Sequence, residues 1–419
     1  MNRRLLLLYF ALALVVLARL ALYHPIPLVD GQHIDTTVRL LSSPTASGSR
    51  GQLVVKIHDQ RVSLSVSRFN VYQYGDLLHV VGNLRSRVLD DGRTVYSIYF
   101  PQITVVENDS GLPFHIAGFI RERLEDGFGQ YLSSDQAGLL MGIVFGISST
   151  LDYDLKSQFQ IAGVTHVIAA SGMNVTLLAA FLLPIFLRLA KRRDALLLTL
   201  ICLGFYAIIS GLSASIVRAA IMGGIGLIGL MVGRQKTAFI SFFLTGCIMI
   251  LITPSVIADI GFQLSFMSTA GMLVVMPILP NMPSMPVLKL VKEDLAATLS
   301  AQIASMPLLL YYFHSLGLLS VVVNVLVLWT IPILMIIGSV AALVSFASPA
   351  IGGLVALIAL PFLSYFMGII ELFAHISPVF QVEKLPLSFV IGYYLLLVAL
   401  VITLMKKKNK SGVGQGSHP

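Results

Sequence analysis

Gly163-Val164-Thr165-His166-Val167-Ile168-Ala169-Ala170-Ser171-Gly172-Met173-Asn174 sets glycines and neutral polar side chains inside a long apolar tract. Hydrocarbon does not tolerate non-helical backbone, because each unpaired N–H or C=O there has lost its water without gaining a partner. The stretch therefore predicts a break surrounded by protein or water rather than lipid. Such breaks are where membrane transporters hold or pass a solute.

The composition around it agrees with a membrane setting. The chain of 419 residues is 56% hydrophobic and 11% charged, with a mean hydropathy of +0.87. Soluble domains carry about 25% charged residues, so an ordinary soluble globule is excluded. The 28 Lys and Arg against 20 Asp and Glu leave a net charge of +8. Much of that excess lies at helix ends and in Lys406-Lys407-Lys408-Asn409-Lys410, where it is first of all a topology signal. Cys202 and Cys247 fall inside apolar runs and read as small core residues, so no disulfide framework, metal or cofactor is expected.

Working outward, residues 1–23 predict a membrane anchor: Met1-Asn2-Arg3-Arg4 precedes an apolar run long enough to cross a bilayer. Arg19 interrupts that run and no small-x-small site follows, which favours a retained anchor over a cleaved signal peptide. Residues 24–113 alternate at period two, with strands expected over 52–58, 61–66, 76–82 and 94–100 and turns at Gly51, Gly75 and Asp91-Gly92. About five short strands in this length suit a small β-barrel of OB-fold size. The module holds eight Lys or Arg and eight acids, so its overall charge does not favour a polyanion. Arg85, Arg87 and Arg93 nevertheless surround one hairpin with Tyr96 and Tyr99, a combination suited to phosphate contact and base stacking. A structural or docking role suits the module equally.

Residues 114–134 read as an amphipathic helix lying along the membrane interface. Leu139 to Gly146 is too short to span and is expected to dip into the membrane and return. Within residues 135–405, spans are expected near 172–190, 195–211, 215–232, 237–252, 261–279, 294–313, 317–342, 349–375 and 387–405, ten in all with the anchor. On that count the basic loops 191–193, 234–236 and 289–292 and the tail 406–419 share the side of Arg3 and Arg4. Both termini are then cytoplasmic and the β module external. The expected fold is mainly α: a polytopic helical membrane bundle of about ten spans with a re-entrant or broken segment, plus a small N-terminal OB-like β-barrel.

Candidate functional residues follow from the polar groups this bundle must accommodate. Gly163, Ser171 and Gly172 permit close backbone approach or a left-handed turn, while Thr165, His166, Ser171 and Asn174 offer neutral hydrogen-bonding groups. Such groups let a polyanion pass without trapping it, and they serve equally to satisfy backbone freed by the break. Arg218 interrupts an apolar span, where insertion costs at least ~2.5 kcal/mol. It can hold a phosphate, pair with an acid such as Asp259, or snorkel to water. Asp259, Gln263 and Ser265 open one span, and Gln302 shares a helix face with Ser305 in another; pore lining and interhelix hydrogen bonding fit them alike. A hydrolase built on His166 and Ser171 is disfavoured, because Ala169 stands where a Gly-x-Ser-Gly motif needs glycine. No Gly-x-x-x-x-Gly-Lys-Ser/Thr loop is present, which removes the simplest means of powering transport by nucleotide hydrolysis, and no catalytic residue is assigned.

Four segments in order resemble the ComEC/Rec2 competence family, which forms the inner-membrane DNA-uptake channel: residues 155–175, Gly211 to Met222, Pro254 to Phe266, and Ala301 to Phe313 followed by Asn324. The resemblance implies a channel moving single-stranded DNA into the cytoplasm during natural transformation, with Gly163 to Asn174, Arg218, the Asp259 to Ser268 segment, Gln302 and Asn324 along its path. It implies an OB-fold at the β module. It also implies an external DNA receptor protein and a cytoplasmic ATPase or helicase as partners. Full-length relatives often carry a metallo-β-lactamase-like domain with a His-x-His-x-Asp-His cluster; this sequence has no such motif, so a nuclease would come from a separate polypeptide. Two positions depart from the family pattern: Asn174, where many members have histidine, and Ile147, where aspartate is common. A transporter of another solute or envelope precursor, or a membrane scaffold, are the alternative readings.

Overall fold

The computed structural model describes residues 3–42, 45–47, 50–67, 72–88, 94–106, 111–147, 151–168, 171–232, 238–279, 292–317, 319–376, 379–381 and 385–413. The chain forms two compact units, residues 1–156, 166–257 and 330–366 in the first and 157–165, 258–329 and 367–419 in the second.

In the first unit, α1 (Arg3–Ala21) leads into seven strands: β1 (His33–Arg39), β2 (Thr45–Ser47), β3 (Arg50–Ile57), β4 (Gln60–Ser67), β5 (Leu77–Val88), β6 (Thr94–Tyr99) and β7 (Gln102–Val105). The β3–β4 hairpin shows how the sequence dictates them. Ile57 pairs with Gln60, leaving His58 and Asp59 as a two-residue turn. Both have positive φ, 47° and 66°, as the type I′ turn that matches strand twist requires. Alternation then buries Leu53, Val55 and Ile57 with Val62, Leu64 and Val66.

The strand order is β1-β5-β6-β4-β3-β2, with β7 also on β5 and β4 parallel to β6. Where a small barrel was expected, the sheet is a curled half-barrel. The long β5 explains the curl, since β1 runs along one edge over residues 77–83 while on the other edge residues 78–81 pair β7 and 84–88 pair β6. At the changeover stands Gly82, whose Cβ would lie 2.6 Å from Ile98 Cγ2, so only glycine lets the strand bend there.

The helices that follow are α2 (Leu112–Gly129), α3 (Ser134–Phe145), α4 (Tyr153–Ile161), α5 (Thr165–Ile168), α6 (Gly172–Leu189), α7 (Arg192–Ile209), α8 (Ala214–Met231), α9 (Ala238–Ile252), α10 (Ile260–Val274) and α11 (Lys292–Phe313). After β8 (Ser315–Gly317) come α12 (Ser320–Val327), α13 (Thr330–Ala347), α14 (Pro349–Ala356) and α15 (Leu360–Ile376); β9 (Val379–Gln381) pairs with β8 and α16 (Leu387–Val413) ends the chain. The amphipathic α2 buries Ala117, Ile120, Leu124 and Phe128, at helical spacing, against α7, α13 and α14.

Among the described residues, seven helical stretches are long and apolar enough to cross a membrane: Gly172–Leu189, Ala214–Met231, Ile260–Ile278, Leu295–Phe313, Thr330–Ala347, Pro349–Ile376 and Leu387–Lys406. Tyr9–Ala21 and Ala238–Ile252 are shorter apolar helices. The remaining expected span corresponds to α7, which opens on Arg192, Arg193 and Asp194 so that its apolar part begins only at Ala195. The span expected over 317–342 is broken between α12 and α13. Pro332 supplies the reason: it has no N–H for the Leu328 carbonyl and its ring would clash there. The basic segment from Lys406 continues α16 as helix to Val413 rather than leaving it as a tail.

Candidate functional site

The break begins where α4 ends. Gly163 has φ +74°; its N–H donates to Gln160 O at 3.1 Å and Val164 N–H donates to Phe159 O at 3.0 Å. These two bonds form a Schellman motif, which satisfies the last carbonyls of the helix and requires a left-handed residue. Thr165 opens the short α5 with its side chain exposed, and α6 starts at Gly172. The side chain of His166 lies outside the described residues.

In the first unit the break meets α3. That helix is capped by a Ser133–Gln136 capping box and ends at Gly146, φ +71°. At 1.5 Å per residue it is about 18 Å long, against ~30 Å of hydrocarbon, and Leu139 to Val144 are all buried. Two carbonyls at its end are met by side chains from other helices. Asn174 Nδ2 donates to Ile143 O at 2.7 Å, and the Tyr206 hydroxyl donates to Val144 O at 2.8 Å. Asn174 Oδ1 accepts from Ser171 Oγ at 2.7 Å. Asn174 is thus 1% exposed with both ends of its amide engaged.

Because Ser171 spends its hydroxyl on Asn174, it makes no side-chain cap to the N–H groups that open α6. Those groups carry the positive end of the helix dipole. Against them lies the guanidinium of Arg218 from α8: a Cβ on Gly172 would stand 2.8 Å from Arg218 Nη2 and 3.5 Å from Ala219 Cβ. Arg218 is 8% exposed, and its Nη1 lies 3.4 Å from Met222 Sδ. A buried cation beside a helix N-terminus concentrates positive potential, an arrangement suited to an anion such as a phosphate. Ser171, Gly172, Asn174 and Arg218 are therefore brought together, around a core of Val175, Leu203, Tyr206, Ile216 and Ala219.

The second unit gathers a different set. Gly163 packs on Ser320, where an added Cβ would lie 2.5 Å from Ser320 Cβ. Gln302 Nε2 donates to Ser320 Oγ at 2.7 Å. One turn further along α12, Asn324 is 1% exposed, and neither end of its amide meets a hydrogen-bond partner among the described residues. Asp259 caps α10, its Oδ1 accepting from Phe262 N at 3.0 Å, and Gln263 Oε1 accepts from the Tyr312 hydroxyl at 2.8 Å. Ser265 is half-buried on α10, where its carbonyl accepts from Thr269 Oγ1.

On the β module, strand parity sorts the expected contacts. Arg85, Arg87 and Tyr99 are exposed on the sheet face opposite the core. Tyr96 is of the other parity and packs against the core, so its ring is not on that face. Arg93 lies outside the described residues. Lys56 and Arg61, paired across β3 and β4, are exposed on the same face as Arg85. Their distance in sequence from Arg85 hides this shared face, though alternation from the buried Val55 and Val62 marks their side. Tyr206, Ser320 and Tyr312 join the site without a sequence signature: a tyrosine or serine in an apolar helix carries no signal of what it will bond.

A family model described as Competence protein matches residues 143–407. The chain is 30% identical to ComE operon protein 3 of Bacillus subtilis (strain 168) over 200 residues, covering 46% of this chain and 25% of that protein. It is 27% identical to Competence protein ComA of Neisseria gonorrhoeae over 271 residues, covering 62% of this chain and 37% of that protein. The chain thus spans well under half the length of these relatives. No solved structure matches it. The matched region holds the end of the short α3, the glycine break, and the helices that carry Arg218 and Asn324, and on that correspondence the chain belongs to the competence-protein family.

Proposed function

We propose that this protein forms a conduit for single-stranded DNA across the inner membrane during DNA uptake. The reading rests on one observation above the others: the Arg218 guanidinium lies buried against the opening turn of α6, at the point where the chain resumes helix after the break. Two sources of positive potential in a dry setting would hold a phosphate strongly. The absence of room for a side chain at Gly172 keeps the turn open to the guanidinium. The surrounding groups are neutral, so a strand would be attracted at one place and not trapped along its length.

On this reading the β module faces outward and both termini lie in the cytoplasm. Its exposed face, with Lys56, Arg61, Arg85, Arg87 and Tyr99, would meet DNA handed over by an external receptor protein. A cytoplasmic ATPase or helicase would supply energy, and a nuclease would remove the other strand. The protein's own part is passage, not catalysis.

The test is entry of fluorescent DNA into cells, scored after nuclease treatment of the exterior, for the parent chain and for Arg218→Ala and Gly172→Leu. Losing a charge-assisted hydrogen bond of about 1.5–3 kcal/mol should reduce import roughly ten- to a hundredfold, with DNA still bound at the surface. A double variant that inserts normally and imports DNA at the parent rate would refute the proposed path. Parent and deletion strains that import equally would refute the conduit itself.

A further inference from the structure

α7 ends at Ile209, and the last carbonyls of a helix have no partner within it. Two of them are met from elsewhere in the chain. The Tyr74 hydroxyl donates to Ile208 O, and Arg121 Nε donates to Ile209 O at 2.7 Å. The Arg121 guanidinium also lies over the Tyr74 ring, with Cζ 3.6 Å from its centroid, a cation–π arrangement. Arg121 is 4% exposed. Burial lowers its pKa to about 10, so it stays cationic at neutral pH and suits the negative end of the α7 dipole.

Tyr74 belongs to the loop that enters β5, whereas Arg121 sits in the middle of α2. Around them three glycines leave no room for a side chain. A Cβ on Gly75 would stand 3.0 Å from Phe114 O, one on Gly118 2.6 Å from Tyr74 O, and one on Gly211 2.6 Å from Leu41 O. Gly211 has φ +77° and Leu212 φ +53°, so the α7–α8 turn is itself tightly specified. Arg39 adds a second tie, donating from Nη1 to Gly75 O at 3.1 Å with its Cζ 4.4 Å from the centre of the Phe114 ring. The β module is therefore seated directly on α2 and on the turn that begins α8.

We propose that Arg121 is a positioning residue: with Tyr74 it latches the β module onto the turn Ser210 to Ser213, and thereby fixes where α8 stands and where Arg218, in its second turn, is presented. Glu125, one turn along α2, adds its negative charge to the surroundings of this guanidinium, yet taking so large a cation out of water is a costly way to fill space. Its planar donors and ring stacking make it a specific way to join three elements. The effect on import rests on the DNA-conduit reading, while the latch itself does not.

The test labels Ser210→Cys with a membrane-impermeant maleimide in cells, in full-length chain with Cys202→Ala and Cys247→Ala. Ser210 is 6% exposed, so the parent should label slowly; Leu212→Cys, 37% exposed in the same turn, calibrates access of the reagent. Arg121→Met should raise Ser210→Cys labelling roughly tenfold, as expected from losing a charged hydrogen bond, and should lower DNA import. Arg121→Lys, which keeps the cation over the ring, should restore part of both. Tyr74→Phe removes only the hydroxyl and should give a smaller rise, which keeps the test decisive if Arg121→Met does not accumulate in the membrane. Labelling unchanged in Arg121→Met at equal protein level, or in Tyr74→Phe where that variant must decide, overturns the latch. Raised labelling in a chain that imports no DNA would leave the latch standing and the conduit refuted.

Discussion

Asn174 and Asn324 are the same residue type, each 1% exposed in an apolar helix, and their circumstances are opposite. Asn174 donates its amide N–H to the Ile143 carbonyl at the end of α3 and accepts a hydrogen bond from the Ser171 hydroxyl. Asn324 meets no partner among the described residues, while its neighbour one turn back, Ser320, is bonded to Gln302. A buried amide stabilises a fold only through the bonds it makes, and without them it costs the full loss of hydration. The first asparagine is thus a fastener, and the second a polar group whose worth must lie elsewhere than in stability.

The contrast is open to breaking by substitution, with thermal unfolding of the purified chain in detergent as the common measure. Asn174→Leu should cost most, about 3 kcal/mol, since it removes two hydrogen bonds and strands a buried carbonyl. Gly163→Ala comes next at about 2 kcal/mol, combining a positive φ with the encounter at Ser320. Adding Ser320→Gly should recover the contact part of that loss and leave the φ part. Tyr206→Phe should cost about 1 kcal/mol, the worth of its single bond to Val144 O. Asn324→Leu should cost least, within about 0.5 kcal/mol of the parent or more stable, because removing both unmet polar atoms offsets the change of shape. If Asn324→Leu lowers the midpoint as far as Asn174→Leu, the two asparagines are alike and the contrast fails.

Much of the architecture was legible from pattern. Period-two alternation identified the β3 and β4 strands and the side on which Lys56 and Arg61 stand. Length and apolarity located the stretches able to cross a membrane, and the glycines at 163 and 172 announced the break. What escaped was partnership. Arg121 read as one more charge on an amphipathic helix, although it is buried beneath Tyr74 at the end of α7. Tyr96 read as a DNA contact, although parity turns it to the core. The order of strands in the curled sheet is likewise a matter of partnership, because β5 passes from β7 to β6 around Gly82 and nothing in local alternation says which strand comes next.

Composition and residue pattern are enough to show a helical membrane protein with a β module ahead of it, where the chain must leave helix, and which few polar residues have to be accommodated. Those properties follow from hydration, which each residue carries with it. Which polar atoms meet is settled by the packing of the folded chain: Asn174 with Ile143, Arg218 with the opening of α6, Arg121 with Ile209. Lipid and protein interior are equally apolar to a leucine-rich helix, so its sequence has no hydrophobic stripe to say which face is inward, and hydrogen-bond partners far apart in the chain are settled by packing alone.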